Sequence, residues 1–311
     1  MNHVNKLADV HLQQPSVVTI GVFDGVHRGH QYLLQQLVKE ARARGHAAVA
    51  LTFFPHPDVV IRGLSGRYYL TTPDQRAQLL GDLGIDYVIT LPFDDQIRNI
   101  RAADFVDQMI AHLRLQSLWV GTDFALGYQR EGNVTFLREQ GAQKSFSVEV
   151  IDLLMEENAA ISSSTIRAAL QQGNVEEARE MLGRSYSVSG EVVHGEKRGR
   201  ALGFPTANID VWSEQVVPGN GIYAGWALLG GERFMAVTNV GTRPTFDGQN
   251  LTVEAYLLDF DRDIYSETLT FTFESYLRPE LRFNDVQELI VQMGADVEAG
   301  RAYLAQQINQ P

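Results

Sequence analysis

The run SVVTIGVF at 16–23 is rich in β-branched and apolar residues along its whole length. An extended segment of that kind needs cover on both faces, as a strand of a buried parallel sheet has. The period changes directly afterwards. From Gly29 onward, Leu33, Leu34, Leu37, Val38 and Ala41 recur at the spacing of one helix face, and Gly45 is placed to close the helix. AAVALTFF (47–54) is the next strand, and Thr72-Pro73-Asp74 reads as an N-cap followed by proline at the first helical position, for a helix ending near Gly84. DYVITLPF (86–93), a helix near 102–113, SLWVG (117–121), a short helix near 133–140 and FSVEVID (146–152) continue the alternation. Strands alternating with helices predict βαβ units and an N-terminal doubly wound, Rossmann-like parallel sheet. Such sheets bind ligands beyond the carboxyl ends of their strands, where the strand order reverses.

After Ser163 the spacing predicts two short helices, STIRAALQQG and VEEAREMLG, closed by Gly173 and Gly183. Beyond Arg184 the character changes to β-rich runs broken by Gly, Asn and Pro: YSVSGEVVHG, GIYAGWALLGG, ERFMAVTNVG, LTVEAYLLDF and ETLTFTFESYL. That spacing predicts a C-terminal antiparallel barrel or sandwich, and 285–308 returns to a helical period as a terminal helix. The expected domains are therefore 1–183 and 184–311, a division that suits a chain of 311 residues.

Composition narrows the function classes. With no cysteine, disulfides, thiolate metal sites and cysteine nucleophiles are excluded. The net charge is −12, both halves are acidic, and no basic cluster exceeds KRGR at 197–200, so a nucleic-acid partner is not expected. No apolar run approaches the roughly 18 residues of a membrane span. The N-terminal segment lacks an apolar core like that of an export signal, so a cytoplasmic location is expected and no membrane partner. No motif specifies an oligomeric state. Trp119, Trp212 and Trp226 read as packing residues, and His3, His11, His46, His112 and His194 as surface or loop residues.

The first candidate site is GVFDGVHRGH (21–30), which joins the first strand to the first helix. Gly21, Gly25 and Gly29 allow close backbone approach, and a helix N-terminus offers N–H groups and a positive dipole end to a phosphate. His27 and His30, three apart at the helix start, can face one ligand, donate to phosphate oxygens and stabilise charge developing during transfer. Phe23 and Asp24 belong to the same turn. A second loop, with Phe54, Pro55, His56 and Pro57, follows the next strand end at the same edge. Two other interpretations stay open: a plain strand-to-helix turn with exposed histidines, and a zinc site of His27, His30 and His56.

GVFDGVHRGH, TFFPHP, VGTDFALG and ISSSTIR, in that order, resemble the FMN adenylyltransferase half of the bacterial bifunctional riboflavin kinase/FAD synthetase family. That half belongs to the HxGH nucleotidyltransferases. The resemblance implies that His27 and His30 contact the phosphates of ATP, and that Asp123, Ser163, Ser164 and Arg167 line the nucleotide site. Three positions depart from the pattern: Ser164 stands where the family has Thr, Ala160 where an Arg is frequent, and Leu126 where an aromatic is common.

The second candidate site is GRALGFPTANI (199–209). Gly203, Phe204 and Pro205 suggest a rigid loop, and Thr206 and Asn208 flank Ala207 so that both oxygens point one way if the segment is extended. Such hard oxygens suit Mg²⁺ completed by nucleotide phosphates, or they satisfy a turn's own backbone. In LTVEAYLLDF (251–260), Val253, Ala255 and Leu257 share one face, and Thr252, Glu254 and Tyr256 the other. Glu254 is either solvent-facing or placed to take a proton from a hydroxyl attacking ATP.

GFPTAN, VPGNGIYAG, VTNVGTRPTF, VEAYLLDF and LRPELRF are similar, in order, to the riboflavin kinase half of the same family. This implies that Thr206 and Asn208 help bind Mg²⁺-ATP and that Glu254 is the general base for the riboflavin 5′-hydroxyl. Tyr265-Ser266 stands where members have Tyr-Gly. The expected chemistry is riboflavin to FMN in the C-terminal half and FMN to FAD in the N-terminal half, with ATP consumed in both. The alternatives are a chain active only as the kinase and a non-catalytic flavin- or nucleotide-binding regulator.

Overall fold

The computed structural model describes residues 1–151, 155–156, 159–195, 199, 202–245 and 248–308. Lys197, Arg198 and Arg200 of the basic cluster, Asp152 at the end of FSVEVID, and Phe246 at the end of VTNVGTRPTF lie outside the described residues. By packing the chain forms two compact units, Met1–Gly66 with Thr71–Ser163, and Arg67–Leu70 with Ser164–Pro311.

The first unit runs β1 (Asn2–Val4), β2 (Ser16–Ile20), α1 (Arg28–Arg44), β3 (Ala47–Phe54), α2 (Pro57–Arg62), α3 (Pro73–Asp82), β4 (Tyr87–Pro92), α4 (Asp95–Asn99), α5 (Ala102–Leu113), β5 (Leu115–Gly121), β6 (Ala125–Leu126), β7 (Gly132–Asn133), α6 (Val134–Lys144) and β8 (Ser147–Ile151). β9 (Met155–Glu156) pairs antiparallel with β10 (Ala159–Ala160) in a small ribbon, and β6 pairs with β7 in another. The main sheet is parallel, in the order β1-β4-β3-β2-β5-β8. From β2 the chain steps outward to β3 and β4, then returns to the other side of β2 for β5 and β8. Right-handed crossovers put helices on opposite faces when the direction of travel reverses. Accordingly Leu34 and Leu37 of α1 and Leu80 of α3 pack with Val17, Ala48 and Val88 on one face. Phe105, Val106 and Met109 of α5 pack with Val18, Leu51 and Leu118 on the other. The expected doubly wound sheet is present, and its order reverses between β2 and β5.

Local chemistry explains the helix ends. Thr72 caps α3 in a reciprocal box with Gln75, with Pro73 in the first turn. Gly45 closes α1 in the left-handed conformation. The first strand is shorter than expected: β2 stops at Ile20, and 21–23 leave the sheet to form the turn discussed below. The sequence pattern gave no indication of the edge strand β1, nor of α2 and α4, which are too short for a periodic stripe.

The second unit holds α7 (Ser163–Gln171), apart from its first residue, then α8 (Val175–Leu182), β11 (Tyr186–Val193), β12 (Ala207–Val211), β13 (Gly221–Leu229), β14 (Glu232–Thr245), β15 (Gly248–Leu257), β16 (Thr268–Arg278) and α9 (Val286–Ile308). The strands close an antiparallel barrel in the order β11-β12-β15-β14-β13-β16, with β16 pairing back to β11. Between barrel and sandwich, the pattern resolves as a barrel carrying a terminal helix. Trp226 of β13 and Leu304 of α9 share a small core on the barrel's outside. The packing division falls some 20 residues before the expected boundary near 183–186. Arg179 of α8 pairs with Glu274 of β16 at 3.2 Å, and Glu176 accepts from Tyr276 N at 3.2 Å, so this helix lies against the barrel.

Candidate active sites

In the first unit the turn after β2 is built from conformations that side chains rarely adopt: Phe23 (φ 53), Gly25 (φ 77) and Val26 (φ 42) all have positive φ. Asp24 holds this shape. Its buried Oδ1 accepts from Thr71 N (3.2 Å) and from Thr71 Oγ1 (3.3 Å), while Thr71 Oγ1 accepts from Gly25 N (3.2 Å). Ser163 Oγ donates to the Asp24 carbonyl at 2.9 Å, so the first residue of α7 is tied to the turn.

His27 occupies the N-cap of α1 without capping it through its side chain. Its ring stacks on His30 with centroids 3.6 Å apart and planes 23° apart, and Phe23 meets His30 edge-on at 5.2 Å. A Cβ on Gly29 would stand 3.2 Å from the His27 ring, so the glycine gives the stack its room. His30 Nδ1 is fully buried and has no hydrogen-bond partner among the described residues. Burial, then the neighbouring His27 and Arg76, hold the His30 pKa well below the usual 6.5. At neutral pH His30 is therefore uncharged, able to offer an N–H to an incoming oxygen.

The sequence reading missed Arg76. This arginine is completely buried, and its Nη1 donates to Val22 O (3.0 Å), Phe53 O (3.1 Å) and Thr52 Oγ1 (3.3 Å), tying the end of β3 to the turn after β2. Its one sequence signal is a charge on the same helix face as Ala77 and Leu80.

A cavity of about 790 Å³ opens beyond the carboxyl ends of the central strands, where the sheet order reverses. Gly21, His56, Pro57 and Asp123 line it, with an apolar wall that includes Phe53, Phe93, Phe124 and Leu126. Phe54 and Pro55 are not among its lining residues. Side chains alternate along β3, which gives the cavity Phe53 in place of Phe54. Asp123 is exposed, and its carbonyl accepts from Arg130 Nη2 at 2.8 Å. Leu126 lines the wall, while Ala160 lies in β10, where only the backbone is described. Ser164 and Arg167 belong to the other compact unit. There Arg167 Nε donates to Tyr68 O at 2.7 Å, and its guanidinium lies 4.0 Å above the Tyr68 ring. For the zinc alternative, no group of three His, Cys, Asp or Glu able to hold a metal occurs among the described residues. His56 Nδ1 instead accepts from Asp58 N at 3.0 Å, at the start of α2.

In the barrel, Val253, Ala255 and Leu257 are buried as expected, which puts Glu254 on the outer face of β15. Asn208 of β12 is its register partner on one side and Asn239 of β14 on the other. Thr206 Oγ1 lies 3.5 Å from Glu254 Oε2. Both line a cavity of about 180 Å³ beside α9, together with Phe204, Tyr256, Arg278 and Asp296. Asn208 sits next to Glu254 without lining that cavity. A Cβ on Gly195 would come within 2.4 Å of its Nδ2, so only glycine leaves space for the amide. Gly203 has φ 88 and Pro205 is exposed, at the bend of the loop before β12. Phe204 N donates to Gly199 O at 2.9 Å, closing that loop. Arg278 and Asp296 form a two-bond ion pair (2.7 and 2.6 Å) that fastens α9 to the end of β16.

A family model for FAD synthetase matches residues 9–165, and one for riboflavin kinase matches residues 182–304. A bifunctional riboflavin kinase/FMN adenylyltransferase of Listeria monocytogenes is 38% identical over 93% of this chain and 92% of that protein. The chain belongs to this bifunctional family. Proteins of the same description from Escherichia coli (36% identity over 94% of this chain and 93% of that protein) and Bacillus subtilis (33%, over 94% of each) are similar along the same span. Among solved structures, one described as a macrolide-efflux protein from Streptococcus pneumoniae superposes with a TM-score of 0.87 at 30% identity, covering 96% of this chain and 98% of that one. No helix among the described residues of this chain is long and apolar enough to cross a membrane. Both domains of the bifunctional family are present in the one chain, so it is an enzyme of flavin cofactor synthesis with a kinase and a nucleotidyltransferase half.

Proposed function

We propose that the two halves carry out successive steps: the barrel half phosphorylates riboflavin to FMN with ATP, and the parallel-sheet half adenylylates FMN to FAD with a second ATP. One observation carries this reading. Each compact unit has its own constellation suited to phosphate chemistry, the histidine pair at a helix N-terminus in one and Thr206 and Asn208 beside Glu254 in the other. This two-activity reading is preferred to the kinase alone because the histidine pair and the turn that carries it are in place, and a cavity lined by Gly21 of that turn opens beyond the central strands. The functional halves are taken as 1–183 and 184–311. The helices between 163 and 182 are counted with the half whose ISSSTIR motif opens them, although α8 packs on the barrel.

In the kinase step the riboflavin 5′-oxygen attacks the γ-phosphorus, ADP leaves, and the hydroxyl proton passes to Glu254. Thr206 and Asn208 are assigned to Mg²⁺-ATP. The test of fit is the donor set: a hydroxyl, an amide and a carboxylate meet here, and no imidazole lines the cavity, which suits a hard divalent ion sharing its shell with phosphates. When bound, Mg²⁺ neutralises phosphate charge and orients the transferred group.

In the adenylyl step a phosphate oxygen of FMN attacks the α-phosphorus of ATP and pyrophosphate leaves. No proton has to be removed from the nucleophile, so the protein's work is positioning and charge stabilisation. His27 and His30 are assigned to the ATP phosphates, and the turn residues Gly21, Phe23, Asp24, Gly25 and Gly29 shape that site. Asp123, Ser163, Ser164 and Arg167 are assigned to the nucleotide, and the loop of Phe54, Pro55, His56 and Pro57 to the flavin side. A cytoplasmic location and small-molecule partners (riboflavin, FMN and ATP) belong to the same proposal. Chromatography of flavin products over time, with riboflavin, ATP and Mg²⁺, tests it. FMN must appear first and then FAD; no FMN would sink the kinase assignment, and FMN without FAD the second step.

A further inference from the structure

Asn239 is a polar side chain of the barrel cavity that neither step above uses. It stands on β14 directly opposite Glu254, and Asn208 flanks Glu254 on the other side. Register partners on an antiparallel sheet share a face. The alternate positions Thr238, Val240, Val253 and Ala255 are buried inside the barrel, so the whole row lies outside. Asn239 lines the cavity of about 180 Å³ together with Thr206, Glu254 and Glu280. Its Oδ1 is shielded from solvent and accepts no hydrogen bond from any described residue.

No described residue supplies that bond. A carboxylate has no hydrogen to give, and Glu280 Oε2 already accepts from Asn220 Nδ2 at 3.1 Å. Glu280 Oε1 and Asn239 Nδ2 share the space above Gly241, where a Cβ would stand 2.5 and 3.5 Å from them. That turns Oδ1 the other way. A buried acceptor with no donor among the described residues calls for a donor on the ligand. The cavity is smaller than the roughly 300 Å³ at which pockets for whole drug-sized ligands begin, so it takes part of a ligand. Given the riboflavin kinase reading, on which this inference rests, the ligand whose hydroxyl must reach Glu254 carries a chain of further hydroxyls.

We propose that Asn239 determines specificity in the kinase site, its Oδ1 accepting a hydrogen bond from a ribityl hydroxyl that does not react. That bond selects flavins bearing a polyol chain and sets the reacting hydroxyl against Glu254. The test compares the full chain with Asn239→Ala on riboflavin and on three flavins lacking the 2′-, 3′- or 4′-hydroxyl. Losing one neutral hydrogen bond should raise the KM for riboflavin about five- to tenfold, with the KM for ATP and the Mg²⁺ requirement unchanged. For one deoxyflavin, wild type and variant should then perform alike, because that substrate lacks the partner the variant has lost. Flavin-fluorescence titration should give the same ratios for binding. Kinase turnover at saturating riboflavin reports that the barrel unit is folded, and Asn239→Val gives the same comparison if the alanine variant does not fold. Undiminished discrimination against all three deoxyflavins, or a rise in the ATP KM instead, overturns the inference. A wild-type chain that forms no FMN overturns the kinase reading and this inference with it, whereas an active wild type matched by its variant overturns the inference alone.

Discussion

His27 and His30 stack ring on ring, 3.6 Å between centroids and 23° from coplanar. Two positive charges at that separation repel strongly, and burial adds to the cost, so the fold favours at least one neutral ring. Neutral imidazole donates one N–H to phosphate and accepts more charge as the transition state develops. His30→Ala should therefore lower FMN-to-FAD turnover by about 100-fold or more, while riboflavin phosphorylation continues. Separate assays from riboflavin and from FMN check this. Loss of both activities in a folded variant would refute the division of labour.

The same pair sets a pH dependence of stability. Because the folded-state pKa of His30 lies well below 6.5, the neutral form is the one the fold stabilises. That contribution is fully present above the unfolded value of 6.5 and is lost as pH falls through the lowered folded value. Denaturation midpoints followed from neutral pH downward should drop less steeply for His30→Asn than for the wild type. Equal slopes would show that another group controls the acid limb.

Glu254→Gln keeps the shape of the residue and removes its ability to take a proton. FMN formation should fall by about two to four orders of magnitude, and FMN-to-FAD conversion should stay near the wild-type rate. The readout is the pair of initial rates on one preparation. A Glu254→Gln chain that still phosphorylates riboflavin at the normal rate would remove the residue from the base role.

Gly195 is held to glycine by Asn208, whose Nδ2 a Cβ would approach to 2.4 Å. Gly195→Ala should push the amide out of its row beside Glu254. The expected result is a higher Mg²⁺-ATP concentration for half-maximal kinase rate, with little change in the adenylyl step. An unchanged requirement would mean that Asn208 serves the barrel's packing and not the nucleotide.

The Arg278–Asp296 pair tests how α9 is held. Their side chains are 17% and 9% exposed, so cutting one partner leaves the other charge largely buried. Asp296→Ala should cost about 3 kcal/mol of stability, read from chemical denaturation. A loss below about 1 kcal/mol would mark the pair as equivalent to a surface bridge.

The linear order of residues determined much of this molecule by itself. Period, caps and punctuation are local physics, so AAVALTFF, the N-cap at Thr72 and the alternation around Glu254 could be read directly and recur in the fold. His27 and His30 could be read for the same reason, because their spacing along one helix start already lets the two side chains meet. Thr206 meets Glu254 only once β12 pairs with β15.

Tertiary structure decided what depends on partners far away in the chain. The amphipathic stripe of α8 shows that it must be covered but not by what, and its cover is the barrel, so the packing division falls at Ser163/Ser164. Arg76 ties the end of β3 to the turn after β2 only once the strands lie side by side, and Asn239 joins Glu254 only through the register of β14 on β15. Phe53 lines the first cavity where the sequence pointed to Phe54, because which face of a strand meets a cavity is set by the layer packed on it. A sequence carries its periodicities within a segment, whereas register, cover and the choice of face follow from free energies of packing that exist only when segments meet.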